Sequence, residues 1–316
     1  MSNAEHLASV MVDAFIDAVN EGIDLVPVVA DSTSTAKISP FVKAFPGRLV
    51  NVGIAEQTLV GTAAGLALGG KVAVTCNAAP FLISRANEQV KVDVCYNNTN
   101  VKLFGLNAGA SYGPLASTHH STDDIAIMRG FGNIEIYAPS CPVECRKIID
   151  YALRHTGPVY IRLDGKALPV LHDNDYAFVP GKIDTLRQGS DVALVALGST
   201  VHEAVSAAEI LNEQGISAKV ISVSSVRPCD TQALYEQLKD VPYIVSAEEH
   251  NINGGVGSLV AEVLAEHGVG IRLKRLGLAD GQYAIAGDRA STRDRLGIDA
   301  QGIARTAQHL IRGENV

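Results

Sequence analysis

The segment Asn51-Val-Gly-Ile-Ala-Glu-Gln57 joins a short apolar run to a helical pattern. The helix that follows is lined by small residues, at Gly61, Ala63, Ala64, Gly65 and Ala67. Such a face can approach another backbone closely, either within the domain or across a subunit interface. Glu56 falls in the first helical turn, where acidic residues are common because they complement the helix dipole. Taken alone, the position of Glu56 therefore requires no functional role.

Short β-rich runs alternate with helical patterns along the whole chain, which predicts α/β domains with mostly parallel sheets. The first half contains predicted strands at 26–30, 49–52, 72–75, 101–106, 134–138 and 159–163. The second half contains predicted strands at 192–197, 218–223, 243–246 and 271–276. Between the two halves, periodicity fades into a loop-rich stretch. We expect two doubly wound domains, over 1–175 and 190–316, with a linker over 176–189.

Composition excludes several classes of protein. The formal net charge is −8 and the pI about 5.6, so no cationic surplus is available for nucleic acid. The longest apolar runs are the length of strands, so no membrane span is expected. The first twenty residues lack a cationic start and an apolar block, which favours an amphipathic helix over a signal peptide. The five cysteines form no disulfide or zinc pattern, so we expect a cytoplasmic protein without metal ligands of its own.

Four segments in order resemble the transketolase family, and together they span nearly the whole chain. The first is 51–57, and the second is Phe81-Leu-Ile-Ser-Arg-Ala-Asn-Glu-Gln-Val90. The third is Ser117-Thr-His-His-Ser-Thr-Asp-Asp-Ile-Ala126, and the fourth is Glu248-Glu-His-Asn-Ile-Asn-Gly-Gly-Val-Gly-Ser258. The resemblance implies a pyrimidine-binding domain followed by a transketolase C-terminal-type domain.

The resemblance also implies a thiamine diphosphate site. Glu56 matches the family's catalytic glutamate, which hydrogen-bonds the aminopyrimidine ring of the cofactor, and Asp31 and Ser32 match its loop beside the thiazolium. Phe81 matches an aromatic of the pyrimidine pocket, although an ordinary core aromatic is an equal alternative. Family members usually offer more than one aromatic here. This chain instead has small or polar residues nearby, at Ala78, Ser84 and Asn87.

By the same resemblance, substrate contacts fall on His119 or His120 and on Arg162. One of the histidines, with His119 the better match, corresponds to the family's substrate histidine, and either imidazole can donate to a developing alkoxide. Arg162 matches an arginine that grips the sugar phosphate, for which a guanidinium is well shaped. Leu115 and Asn107 depart from the family where it usually has an acidic residue and another histidine. These departures leave open a donor or acceptor other than the ordinary pentose phosphate pair.

The chain has no Gly-Asp-Gly run of the kind that anchors the diphosphate of this cofactor through Mg²⁺. The sequence thus predicts a partner, an N-terminal transketolase subunit that holds the metal and the diphosphate, in a dimer of heterodimers. The leading hypothesis is a split transketolase that transfers a two-carbon ketol unit between sugar phosphates. The alternatives are the beta subunit of a 2-oxo acid dehydrogenase and a non-catalytic assembly or regulatory subunit.

Overall fold

The computed structural model describes residues 4–31, 33–283 and 286–314. Its strands are β1 (Glu5–His6), β2 (Leu25–Val29), β3 (Val50–Asn51), β4 (Val72–Ala78), β5 (Val101–Leu106), β6 (Glu135–Tyr137), β7 (Val159–Arg162), β8 (Ala167–Leu168), β9 (Asp184–Arg187), β10 (Val192–Ala196), β11 (Ala218–Ser222), β12 (Ser225–Arg227), β13 (Tyr243–Asn251) and β14 (Arg272–Leu278). The strands predicted from the sequence are all present, most of them within two residues of the expected bounds.

The helices are α1 (Leu7–Asn20), α2 (Ser39–Ala44), α3 (Glu56–Leu68), α4 (Asn87–Gln89), α5 (Asp124–Arg129), α6 (Pro142–Arg154), α7 (Thr200–Glu213), α8 (Thr231–Leu238), α9 (Val256–Glu266), α10 (Arg289–Leu296) and α11 (Ala300–Ile311). Short π-helical segments, Phe81–Arg85 and Val90–Tyr96, flank α4, and Gly113–Thr118 forms a 3₁₀ helix. Three helices follow an aspartate whose carboxylate accepts a backbone N–H of the first turn, namely Asp230, Asp288 and Asp299. Such caps satisfy donors that the helix itself leaves unpaired.

Two large sheets organise most of these elements, and β1 and β8 form a separate antiparallel pair. The first has the strand order β12-β6-β7-β5-β4-β2-β3, and all of its pairings are parallel except that between β12 and β6. The second has the order β14-β13-β10-β11-β9, and only β9 runs antiparallel to its neighbour. The predicted doubly wound α/β class with mostly parallel sheets is confirmed.

Both sheets are covered by apolar residues on both faces. Along β4, Ala73 packs into one apolar cluster and Val74 into another, as the alternation of side chains along a strand requires. Val195 of β10 joins the same cluster as Ala73, whereas Leu194 faces a third cluster. One apolar layer therefore runs continuously between the two sheets and joins the two halves of the chain.

Two edge strands differ from the expected organisation. The stretch 176–189, expected to be a linker, contains β9, which pairs with β11. Strand β12 comes from the second half of the chain but extends the first sheet. Arg227 anchors β12, because its guanidinium donates to the backbone carbonyls of Arg129 and Phe131. Both strands have only three or four residues, too few for a periodic pattern to reveal them. No helix in the described ranges has the length and hydrophobicity to cross a bilayer.

Candidate active site

Most of the predicted site residues lie at one edge of the first sheet, where its parallel strands end. Asp31 follows β2, Glu56 begins the helix after β3, Phe81 follows β4, and His119 lies in the loop after β5. Open α/β sheets bind their ligands at the carboxyl ends of the strands. The fold therefore brings four residues from distant parts of the sequence to the same edge.

Glu56 is the first residue of α3 and is only 4% exposed. Its carboxylate accepts a hydrogen bond of 2.7 Å from Nη1 of Arg85 and a longer one, of 3.4 Å, from Nδ2 of Asn77. Burial alone would raise the pKa of Glu56, but the bonds from Arg85, the Glu56 backbone N–H and Asn77 lower it below its ordinary value. The isolated chain therefore holds Glu56 as a carboxylate.

Asn51 connects the loop of Asp31 to the turn that leads into α3. Its Oδ1 atom accepts the backbone N–H groups of Asp31, at 3.2 Å, and Gly53, at 3.0 Å. Asp31 has a left-handed backbone conformation, with φ 61°, and an exposed side chain. Ser32, the other predicted residue of this loop, lies outside the described residues. The loop after β2 is thus fixed close to the helix that carries Glu56.

A cluster of three rings, those of Phe81, Tyr112 and His119, lies beside the Glu56–Arg85 pair. The Arg85 guanidinium carbon lies 4.6 Å from the Phe81 ring centroid, a cation–π distance. The His119 ring packs edge-on against Phe81, with centroids 5.1 Å apart, and against Tyr112, at 5.4 Å. Nδ1 of His119 lies 2.9 Å from the Thr118 hydroxyl. Tyr112 was not predicted from the sequence. It lies in the loop after β5 and supplies a second aromatic ring, whereas several residues near Phe81 in sequence are small or polar.

The two neighbouring histidines have different surroundings. His120 is 5% exposed, and its Nε2 donates to the backbone carbonyl of Gly113 at 2.9 Å. Burial lowers the pKa of His120, which favours the neutral ring. Its Nδ1 is buried without a hydrogen-bond partner. His120 thus supports the backbone of its own loop, whereas His119 packs against the rings of Phe81 and Tyr112.

Arg162 does not lie open to a phosphate, contrary to the expectation from the sequence. It is 7% exposed, and its Nε contacts both carboxylate oxygens of Asp124, at 2.9 and 3.2 Å. Its Nη2 donates to the backbone carbonyls of Ser121 and Glu249. Asp124 is itself fully buried, so Arg162 serves as its counter-ion. The sequence shows that an arginine is present at position 162. It does not show that a carboxylate of α5 contacts the guanidinium group.

A buried ionic cluster, also not foreseen, links the site to the second domain. Glu249 of β13 is 2% exposed and pairs with Arg289 and Arg293 of α10. Arg289 also pairs with Asp164, which follows β7 of the first sheet. Glu249 lies in a segment quoted above, but nothing in the sequence alone indicates which residues it faces.

Comparisons with known proteins agree with this architecture. The family model of the transketolase pyrimidine binding domain matches residues 6–170, and that of the transketolase C-terminal domain matches residues 181–303. The chain therefore belongs to the transketolase family. Within that family it is a subunit of the split type, a transferase of ketol units, and the comparisons do not favour the beta subunit of a 2-oxo acid dehydrogenase.

The relatives behind this assignment match the chain over nearly its full length. An apulose-4-phosphate transketolase subunit of Actinobacillus succinogenes is 73% identical, covering 98% of this chain and 100% of the relative. The 6-deoxy-6-sulfo-D-fructose transketolase subunit SqwH of a Clostridium species is 33% identical, covering 98% and 96%. A solved structure described as a split gene transketolase, inactive beta4 tetramer, has a TM-score of 0.88 and 33% identity, covering 99% and 100%.

Membership of the transketolase family implies thiamine diphosphate as the cofactor. The residues at the sheet edge fit the aminopyrimidine half of this molecule. A buried carboxylate, Glu56, pairs with Arg85, whose guanidinium lies over the Phe81 ring, and Oδ1 of Asn77 is buried without a hydrogen-bond partner. A planar, hydrogen-bonding ring needs such a combination of partners.

Proposed function

We propose that this chain supplies the pyrimidine-binding half of a two-chain transketolase active site, and that apulose 4-phosphate is a substrate of the assembled enzyme. One observation carries the proposal: the buried carboxylate of Glu56 lies at the sheet edge beside Phe81, Arg85 and His119. When bound, the cofactor supplies a nucleophilic thiazolium carbon and an electron sink for the two-carbon ketol unit.

Glu56 is proposed as the residue that hydrogen-bonds the aminopyrimidine ring. Arg85 orients the carboxylate and keeps it ionised until a ligand replaces this contact. The Arg85 side chain is 50% exposed, whereas that of Glu56 is 4% exposed. The buried Glu56 carboxylate therefore lies next to the protein surface. Such a position suits a cofactor that is bound between this chain and a second chain. Asp31 and Ser32 are proposed to lie beside the thiazolium.

His119 is proposed as the residue that contacts sugar oxygens. Its ring is partly exposed and packs against Phe81 and Tyr112, so its orientation is set before a substrate arrives. An imidazole held in this way can donate a hydrogen bond to an oxygen that gains negative charge as the carbonyl is attacked. His120 is proposed to act only by supporting the loop.

The proposed substrate rests on the 73% identity to the Actinobacillus protein, which is named for apulose 4-phosphate. The sulfo-sugar relative is 33% identical, and the Phocaeicola vulgatus protein that is also named for apulose 4-phosphate is 36% identical. Two relatives with the same name, one of them very similar, favour this sugar over the sulfo-sugar. Because Arg162 is buried and paired with Asp124, we propose that other groups hold the phosphate.

The proposed partner is an N-terminal transketolase subunit that carries the Mg²⁺ and diphosphate site, since this chain has no Gly-Asp-Gly run. Two relatives support the need for a second kind of chain. The Actinobacillus protein is named as one subunit of its transketolase, and the solved split transketolase is an inactive tetramer of beta chains alone. We propose a dimer of heterodimers. We also retain the proposed domain limits of 1–175 and 190–316, with the edge strand β9 falling between them.

The test is reconstitution with a chain that carries the diphosphate-binding domain. Ketol transfer would be measured with thiamine diphosphate and Mg²⁺, using apulose 4-phosphate, 6-deoxy-6-sulfofructose and xylulose 5-phosphate as donors. The proposal expects activity only with both chains, and the highest kcat/KM with apulose 4-phosphate. A preference for another sugar would reject the proposed substrate alone. Cofactor binding without any transfer, or no binding at all, would reject the catalytic role.

A further inference from the structure

The carboxylate of Glu249 connects the second domain to the loop that carries the site histidines. Its Oε1 accepts the backbone N–H of Ala110 at 2.6 Å. Nε of Arg289 lies 3.0 Å from both oxygens, and Nε of Arg293 donates to Oε2 at 2.6 Å. The same carboxylate is thus held by two guanidinium groups on one side and holds a backbone amide of the first domain on the other.

The loop approaches this carboxylate so closely that a side chain would not fit. Gly109 has φ +65°, and a Cβ atom added there would lie 2.5 Å from Oε1 of Glu249. Such a distance is well inside van der Waals contact, and the left-handed backbone is itself strained for any residue with a Cβ. Glycine at 109 therefore permits the contact between Ala110 and Glu249.

The contact lies at the base of the loop. Gly109 and Ser121 exchange two backbone hydrogen bonds of 3.0 Å, which close the segment 110–120 into a loop with adjacent ends. Beside this base, the backbone N–H of Asn251 donates to the carbonyl of Thr122 at 2.6 Å. Strand β13 thus holds the chain at both ends of the segment that carries Tyr112, His119 and His120.

The arginines that hold Glu249 are themselves fixed. Ser199 Oγ accepts from Nη2 of both, at 2.9 Å from Arg289 and 2.7 Å from Arg293. Arg293 also pairs with Glu203 through Nη1 at 2.8 Å. Charge-assisted hydrogen bonds in a buried network are strong and geometrically specific. The position of the Glu249 carboxylate is therefore set outside the loop, by two arginines of the second domain, one of which also pairs with Asp164 after β7.

We propose that Glu249 is a positioning residue, through which the C-terminal domain sets the geometry of the substrate loop. The proposal rests on the proposed function in so far as it assigns sugar contacts to His119. It gives the C-terminal domain a role in sugar binding, beyond assembly. The proposed cofactor contacts of Glu56 and Arg85 lie on α3 and the π-helical segment after β4, outside the Glu249 network, and Phe81 of the same segment meets the loop through the His119 ring.

The first test measures loop mobility without relying on catalysis. Amide hydrogen exchange of the peptide 108–121 would be compared in the full-length wild type, Glu249→Gln and Glu203→Gln. Glu203→Gln is the matched control, because it also removes a carboxylate partner of Arg293 but touches no loop residue. We expect exchange in 108–121 to rise about tenfold in Glu249→Gln, because the amide keeps an acceptor but lacks the charge that strengthens the hydrogen bond from Ala110 and pairs with both arginines, and to stay near wild type in Glu203→Gln. Equal rates in all three proteins would overturn the proposal.

The second test separates positioning from a general structural effect. In the reconstituted enzyme, Glu249→Gln should raise the KM for the sugar about tenfold while the half-saturating concentration of thiamine diphosphate stays unchanged. Gly109→Ala should give the same pattern from the other side of the contact. Parallel losses in sugar and cofactor affinity would contradict the proposal. If the wild-type enzyme transfers no ketol unit, the proposed function fails, whereas the exchange experiment still decides whether Glu249 orders the loop.

Discussion

Replacing Glu56 with glutamine tests the central residue of the site. The substitution keeps the size of the side chain and one hydrogen-bond acceptor, but it removes the negative charge that Arg85 faces at 2.7 Å. If Glu56 polarises the aminopyrimidine ring, the amide cannot replace it, because its NH₂ group cannot be an acid or a base in the relevant pH range. We expect the reconstituted enzyme to lose most of its kcat.

The size of the effect can be compared with the cost to folding. A missing acid–base group typically costs 10² to 10⁴ in rate, or about 3–5.5 kcal/mol in activation free energy. The Arg85 side chain is half exposed, so water can solvate its guanidinium once Glu56 has lost its charge, and the loss of the ion pair should cost about 1 kcal/mol or less in the free energy of unfolding. With a total stability of about 5–15 kcal/mol, the variant stays folded. Loss of activity and loss of structure are therefore separable.

The assay is initial-rate ketol transfer by the two-chain enzyme at saturating thiamine diphosphate and Mg²⁺, together with the thermal midpoint of each variant. Glu236→Gln is the matched control, since it removes a carboxylate from an ion pair with Lys239 on the exposed face of α8. The control should retain full activity. A fall of less than tenfold in kcat for Glu56→Gln, at an unchanged thermal midpoint, would refute the role assigned to this residue.

Three further predictions follow from the site and the core. His119→Asn should raise the KM for the sugar about tenfold with little change in thermal midpoint, whereas the buried His120→Asn should lower the midpoint, as measured by kinetics and thermal melts. Arg162→Met should lower the free energy of unfolding by about 3–5 kcal/mol in urea titrations, because Asp124 would be left buried without its counter-ion. Burial lowers the pKa of Lys102 to about 7, while the unfolded chain keeps it near 10.4. Because the unfolded state then binds the extra proton, the free energy of unfolding of the wild type should rise relative to Lys102→Met from pH 7 to pH 10.

Each of these predictions has a result that would contradict it. A lower thermal midpoint for His119→Asn, with unchanged sugar affinity, would exchange the roles of the two histidines. An Arg162→Met variant as stable as wild type but defective in phosphate binding would restore the role predicted from the sequence. A stability difference between wild type and Lys102→Met that does not vary with pH would mean that Lys102 stays protonated in the fold. The acceptors around its ammonium group, on Asn100, His155 and Gly157, would then outweigh burial.

Features that depend on local pattern could be predicted from the sequence. Apolar strands and amphipathic helices can be recognised from the spacing of their hydrophobic residues, so the order of elements in both domains could be predicted. The edge strands β9 and β12 were missed, because each is short and is stabilised by a partner distant in sequence.

The same distinction between local sequence pattern and tertiary contacts applies to the candidate site. The sequence alone determined the fold class, the transketolase resemblance and the position of Glu56 at the start of a helix, since each depends on neighbouring residues. Only the tertiary structure decided that Arg85 holds Glu56 ionised, that Tyr112 packs against His119, and that Asp124 occupies Arg162. The physical reason is that charge pairing and packing depend on which side chains meet in space, and the two ion pairs join residues 29 and 38 positions apart.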